Sequence, residues 1–153
     1  ISLSNAMSDI PAFVKKARAT AYVRNIIPAM KDYFETEHYV FVHGWIPCLT
    51  DRCTHRPREF YYNPKWREAS PADWEDARWY NGIDCACSWN VKEPHKTIVC
   101  GHFHSSYGHF NYGNNKAEFG DDADFSPFYS EGIIAIDGCT AYSGKVNCIM
   151  IDD

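Results

Sequence analysis

Thr97-Ile98-Val99-Cys100-Gly101-His102-Phe103-His104 is the stretch on which the reading of this chain turns. Lys96 to Cys100 is a short run rich in β-branched apolar residues, read as a buried strand that ends at Gly101. Two imidazoles follow, one residue apart, in what the glycine marks as a loop where they can converge. Imidazole is the commonest metal-ligating side chain. His102 and His104 so placed can reach two ions about 3.5 to 4 Å apart, the separation found in dinuclear hydrolytic sites.

Upstream, His38 to Val42 reads as a second apolar strand that stops at Gly44 and Pro47, which leaves His43 at a strand's C-terminal end. It supplies a third imidazole on the same sheet edge, the edge where sites in α/β sheets lie. The competing reading is three unrelated histidines satisfied by local hydrogen bonds. Downstream, Gly132 to Ile136 and Lys145 to Ile151 read as two more strands, joined by a polar turn through Asp137 to Gly144 and paired as a hairpin. Strands interleaved with helical segments predict an α/β fold.

Ser70-Pro71-Ala72-Asp73 combines a capping serine, a proline at the first helical position and an acid three residues after the cap, so a helix runs from Pro71 to about Tyr80. Asn81-Gly82 stops it. Arg78 in this helix is a candidate phosphate ligand, because a planar guanidinium matches two phosphate oxygens; a solvated helix arginine is the alternative. Near the N-terminus Ser8 can cap a helical segment in which Val14, Ala17, Ala21, Val23, Ile26, Ile27, Met30 and Phe34 fall at helical spacing through about Thr36, with a break at Pro28. That stripe is expected to be core. Leu49 to Pro71 has no clean period and reads as a long lid-like insertion, and Tyr107 to Phe125 reads as a loop.

At 153 residues and 45% hydrophobic content, one globular unit is expected. The formal net charge of -5 offers no field to hold a polyanion, which excludes broad nucleic-acid binding. No apolar run approaches the roughly 18 residues of a membrane span, so the expectation is a cytoplasmic chain without membrane contact. The seven cysteines lack small-scaffold spacing and read as reduced thiols. Cys48, Cys53 and His55, with Cys85 and Cys87, have ligand types that suit a structural zinc ion, but C-x4-C-x-H and C-x-C match no strong zinc pattern. Ser4-Asn5-Ala6-Met7 is similar to a cleaved expression-tag scar, and residues 1 to 7 are set aside as possible boundary residues.

Three motifs, taken together, resemble the calcineurin-like metallophosphoesterases. Tyr39-Val40-Phe41-Val42-His43-Gly44-Trp45-Ile46-Pro47 is similar to that family's strand ending in a ligand histidine, and Gly101-His102-Phe103-His104 to its Gly-His-x-His motif. Ile133-Ile134-Ala135-Ile136-Asp137-Gly138-Cys139-Thr140-Ala141-Tyr142 resembles the strand and turn that follow, most like the branch of serine/threonine protein phosphatases and diadenosine tetraphosphatases. The order is the family's, and the match spans roughly residues 38 to 151.

The resemblance implies a four-layer αββα sandwich of mixed sheets flanked by helices. It implies two divalent metal ions, manganese, iron or zinc, with His43 and His102 on one and His104 on the other, each ring fixed by an outer-shell acceptor. It implies hydrolysis of phosphate esters or phosphoanhydrides by a bridging hydroxide that attacks phosphorus in line. It implies a phosphorylated small molecule, a nucleotide or a phosphoprotein as substrate; Asp137 and Tyr142 read equally as supporting residues or as a turn-capping aspartate and a packed tyrosine. The sequence contains no Asp-x-His, Gly-Asp-x-x-Asp-Arg or Gly-Asn-His, the motifs that supply the family's carboxylate and amide ligands. The expectation is therefore that residues 1 to 153 form the C-terminal half of one metallophosphoesterase domain, extended before Ile1 in the native protein and inactive alone. Two other classes remain: a non-catalytic module holding one ion on the histidine trio, and a zinc-stapled interaction domain. Oligomeric state is not legible in the sequence.

Overall fold

The computed structural model describes residues 9–51 and 59–152. The chain divides into two compact units, Ile1–Lys31 and Asp32–Asp153, where the sequence led us to expect one.

In the first unit, helix α1 spans Ile10–Arg18. Its cap is Asp9, whose side chain accepts a hydrogen bond from the Ala12 N–H at 3.0 Å; the expected cap, Ser8, lies outside the described residues. A π-helical turn over Tyr22–Ile26 and a 3₁₀ turn over Ile27–Ala29 follow, and Met30 is already extended. Pro28, with no N–H to donate, sits where the helical pattern ends. The apolar stripe expected to be core is not: none of the residues in these helical segments is buried.

The second unit is mixed α/β. Its strands are β1 (Tyr33–Glu35), β2 (Tyr39–Val42), β3 (Leu49–Thr50), β4 (Phe60–Tyr61), β5 (Thr97–His104), β6 (Phe128–Ser130) and β7 (Ile133–Asp137). Five of them form one sheet in the order β1-β2-β5-β7-β6, and β3 pairs with β4. The three central strands are parallel and the two outer ones antiparallel to their neighbours. Phe34 thus belongs to a strand and not to the end of a helix, because Tyr33-Phe34-Glu35 finds ladder partners in Val42, Phe41 and Val40.

Helix α2 covers Pro71–Ala77 and opens with the expected reciprocal capping box of Ser70 and Asp73. Asn81 does more than stop it. Its side chain accepts from the N–H groups of Ile83 and Asp84 and caps a further helix, α3 (Gly82–Cys87). Helix α4 (Ser105–Asn111) occupies the start of the expected loop, and Gly108 within it presses on the Phe128 ring, 2.6 Å from where a Cβ would stand. A short helix α5 (Thr140–Ser143) follows β7.

The hairpin is not the expected one. Residues 145–151 form no strand; β7 pairs instead with β6 through the two-residue turn Glu131-Gly132, where Gly132 takes φ 76°. The segment after α5 is fastened by side chains, the Thr140 hydroxyl donating to the Lys145 carbonyl and the Asn147 amide to the Phe125 carbonyl. The core gathers Val40, Trp45, Ile46, Trp66, Trp74, Ile83, Ile98 and Ile133. Trp66 comes from the segment read as a lid; its described part is anchored, since that ring is fully buried and its Nε1 donates to Glu93 at 2.7 Å.

Candidate functional site

The C-terminal ends of β2, β5 and β7 lie side by side, and each ends in or next to a residue the sequence singled out: His43, His102 and His104, and Asp137. The histidine pair is tied at the backbone, where the Gly101 N–H donates to the His43 carbonyl at 2.9 Å. Beyond it, the rings of His43 and His102 face each other with centroids 5.1 Å apart. His102 has φ 63°, a left-handed conformation that is costly for a residue with a Cβ.

That strain marks a bulge. Cys100 is opposite Ala135 and His104 opposite Asp137, so four steps along β5 match two along β7. The sequence reading put both histidines in a loop; they belong to the strand. Residues two apart on a regular strand share a face, but the bulge gives these two different surroundings. His102 meets His43, the edge of Trp79 at 5.3 Å and Phe103. His104 bonds through Nε2 to Glu118 Oε1 at 2.8 Å and packs against Phe103 and Phe119. Burial, followed by the proximity of His43, lowers the His102 pKa from its ordinary value.

Gly44 explains why the end of α2 borders the site. A Cβ there would lie 2.5 Å from the Arg78 carbonyl oxygen and 2.7 Å from that of Ala77, so only glycine lets the helix end close on the residue after His43. The Trp45 N–H donates to the Ala77 carbonyl in the same contact. The contact brings the Arg78 backbone against the residue after His43, and the Trp79 ring lies 5.3 Å from that of His102. Arg78 is committed to carboxylates, with Nη2 on Asp32 at 2.6 Å and Nη1 on Glu75 at 3.4 Å. The Asp32 hydrogen bond comes first among the causes that raise its pKa further. Trp79 is 65% exposed.

Asp137 accepts from the Cys139 N–H at 2.8 Å and so caps the turn. Tyr142 packs against Phe119 and Phe125, and its hydroxyl accepts from the Gly120 N–H. The six described cysteines carry no disulfide; Cys53 and His55, and with them the zinc reading built on them, lie outside the described residues. Burial pushes the Cys100 thiol up to about 12.

Among the described residues no group of three or more His, Cys, Asp or Glu side chains is arranged to hold a metal ion. His43 and His102 suit two ligands of one ion, whereas a dinuclear centre is not completed by these residues. Asp32, Trp79 and Glu118 were missed by sequence reasoning. Asp32 and Glu118 are 46 and 14 residues from their partners, and no periodicity links them. Compared with known protein families, curated proteins and solved structures, the chain matches none. Among the described residues, no helix is long and apolar enough to cross a membrane.

Proposed function

We propose that the chain is the C-terminal part of a metal-dependent phosphoesterase of the calcineurin-like kind, its αββα sandwich and remaining ligands supplied by sequence outside these 153 residues. The observation that carries the reading is the His43–His102 pair, 5.1 Å between ring centroids, at the carboxyl ends of adjacent parallel strands. A divalent ion, manganese, iron or zinc, would supply Lewis acidity toward a phosphoryl oxygen. His43 and His102 would hold it through imidazole nitrogens, and His104 would serve a second position. Arg78, set at this edge by the Gly44 contact, would orient the phosphate, in competition with Asp32 and Glu75. The exposed Trp79 borders the same space and restricts the approach of substrate. Phosphorylated small molecules, nucleotides and phosphoproteins all present the group this edge would bind.

Manganese titration by calorimetry, with p-nitrophenyl phosphate turnover measured alongside, tests this. The chain should bind one ion weakly, lose it in His43→Ala or His102→Ala, and show negligible turnover until a longer polypeptide supplies carboxylate and amide ligands. Metal binding indifferent to both histidine changes would sink the proposal. A second reading, a non-catalytic module holding one ion, is favoured by the engagement of the His104 ring with Glu118 and Phe119. It requires tight binding of a single ion and no turnover in the longer polypeptide.

A further inference from the structure

The ring of His104 is held from several sides. Phe103 stacks on it at 5.5 Å and 20°, Phe119 lies at 4.9 Å, and Tyr107 meets it edge-on at 6.3 Å. Glu118 Oε1 stands 2.8 Å from Nε2, with both side chains largely buried at 18% and 28% exposure. The loop that carries Glu118 and Phe119 is itself braced. Ala117 bridges to Ala123, and the Asn115 amide donates to the carbonyls of Ala117 and Asp122. The Gly120 N–H donates to the Tyr142 hydroxyl, whose ring packs on Phe119.

We infer that Glu118 is the positioning residue of His104: its carboxylate takes the Nε2 proton in a hydrogen bond and leaves Nδ1 as the nitrogen with a free lone pair. An ionised carboxylate can only accept, so when the imidazole is neutral the shared proton sits on Nε2. Carboxylate-to-imidazole contacts of this kind set tautomer and ring orientation where a histidine ligates an ion. On the phosphoesterase reading, on which the ligand role of Nδ1 rests, His104 would therefore offer Nδ1 and not Nε2. The register shift in β5 sets His104 opposite Asp137, and its ring is held by this loop.

The test is nitrogen-15 NMR of the imidazoles in the metal-free chain at about pH 8, where an unperturbed histidine is neutral. His104 should show the Nε2–H tautomer as its major form. Glu118→Ala should reduce the ratio of that tautomer to the Nδ1–H form about fivefold, the loss of one hydrogen bond, with the His43 signals unmoved. If the alanine variant does not fold, Glu118→Met, close in length and without an acceptor oxygen, is read in the same way. A major Nδ1–H tautomer in the unsubstituted chain, or an unchanged ratio in a folded variant, would overturn the inference. These spectra contain no metal, so their outcome is separate from that of the manganese titration, which judges the phosphoesterase reading by itself.

Discussion

The two ends of the parallel strands β2 and β5 are built on opposite plans. At the N-terminal end, Glu93 is 8% exposed and accepts from the Tyr62 hydroxyl, Trp66 Nε1 and Arg67 Nη2. Arg67 also bonds Glu35, and Lys96 pairs with Glu35 and reaches the Thr36 carbonyl. Every one of these charges has a partner of opposite sign. At the C-terminal end, His43 and His102 face each other without a carboxylate between them, His102 and Cys139 hold left-handed backbone, and Trp79 is exposed. One end satisfies its polar groups and stabilises the fold. The other sets two imidazoles side by side next to left-handed backbone at His102 and Cys139, strain of the kind that clusters at functional sites.

The sharpest way to break this contrast is at the buried end. Trp66→Ala should cost about 3 to 5 kcal/mol in urea unfolding, from lost apolar area and the loss of one of the three donors to the Glu93 carboxylate. A loss below that of a surface substitution would show that this end is not a stabilising hub. Gly44→Ala drives a Cβ into two backbone carbonyls and should cost about 2 kcal/mol. It should also move the end of α2 from the histidines, visible as a changed Trp79 fluorescence environment; a silent variant would mean that the contact does not set the site.

Acid unfolding sharpens the comparison further. The hydrogen bond from Arg67, the largest influence, holds the Glu35 carboxyl at about 2 in the folded chain. Its folded value lies below its unfolded one, so its stabilisation is present above about 4.5 and is lost as the pH falls toward about 2. Glu35→Gln should remove about 1 kcal/mol of that pH dependence after solvent screening. An identical acid profile would place the dependence elsewhere. The smallest effect has the opposite sign: His102→Gly relieves the left-handed strain and should raise stability by about 0.5 kcal/mol, and should remove the manganese binding proposed for this pair. A destabilised variant would argue that the bulge is held by the His102 ring and not imposed on it.

Much of the second unit was legible in the residues. β-branched apolar runs placed β2, β5 and β7, and the Ser70 capping box placed α2, because these signals are local and strong. Helices α3 and α4 were missed for reasons that are tertiary. Asn81 caps one helix while ending the region of another, and Gly108, which suggested a loop, is the helical residue whose missing Cβ lets α4 pack on Phe128. Phe34 followed a helical period but found a strand partner in Phe41, and Lys145 to Ile151 had strand propensity but could not pair with β7, whose two sides are taken by β5 and β6.

By itself, then, the sequence determined that apolar strands end in His43 and in His102-Phe103-His104, since strand propensity and glycine stops are properties of adjacent residues. Which imidazoles meet was decided only by the tertiary structure. A two-residue mismatch between β5 and β7 turns His102 toward His43 and His104 toward Glu118, and register between strands depends on residues far apart in the chain.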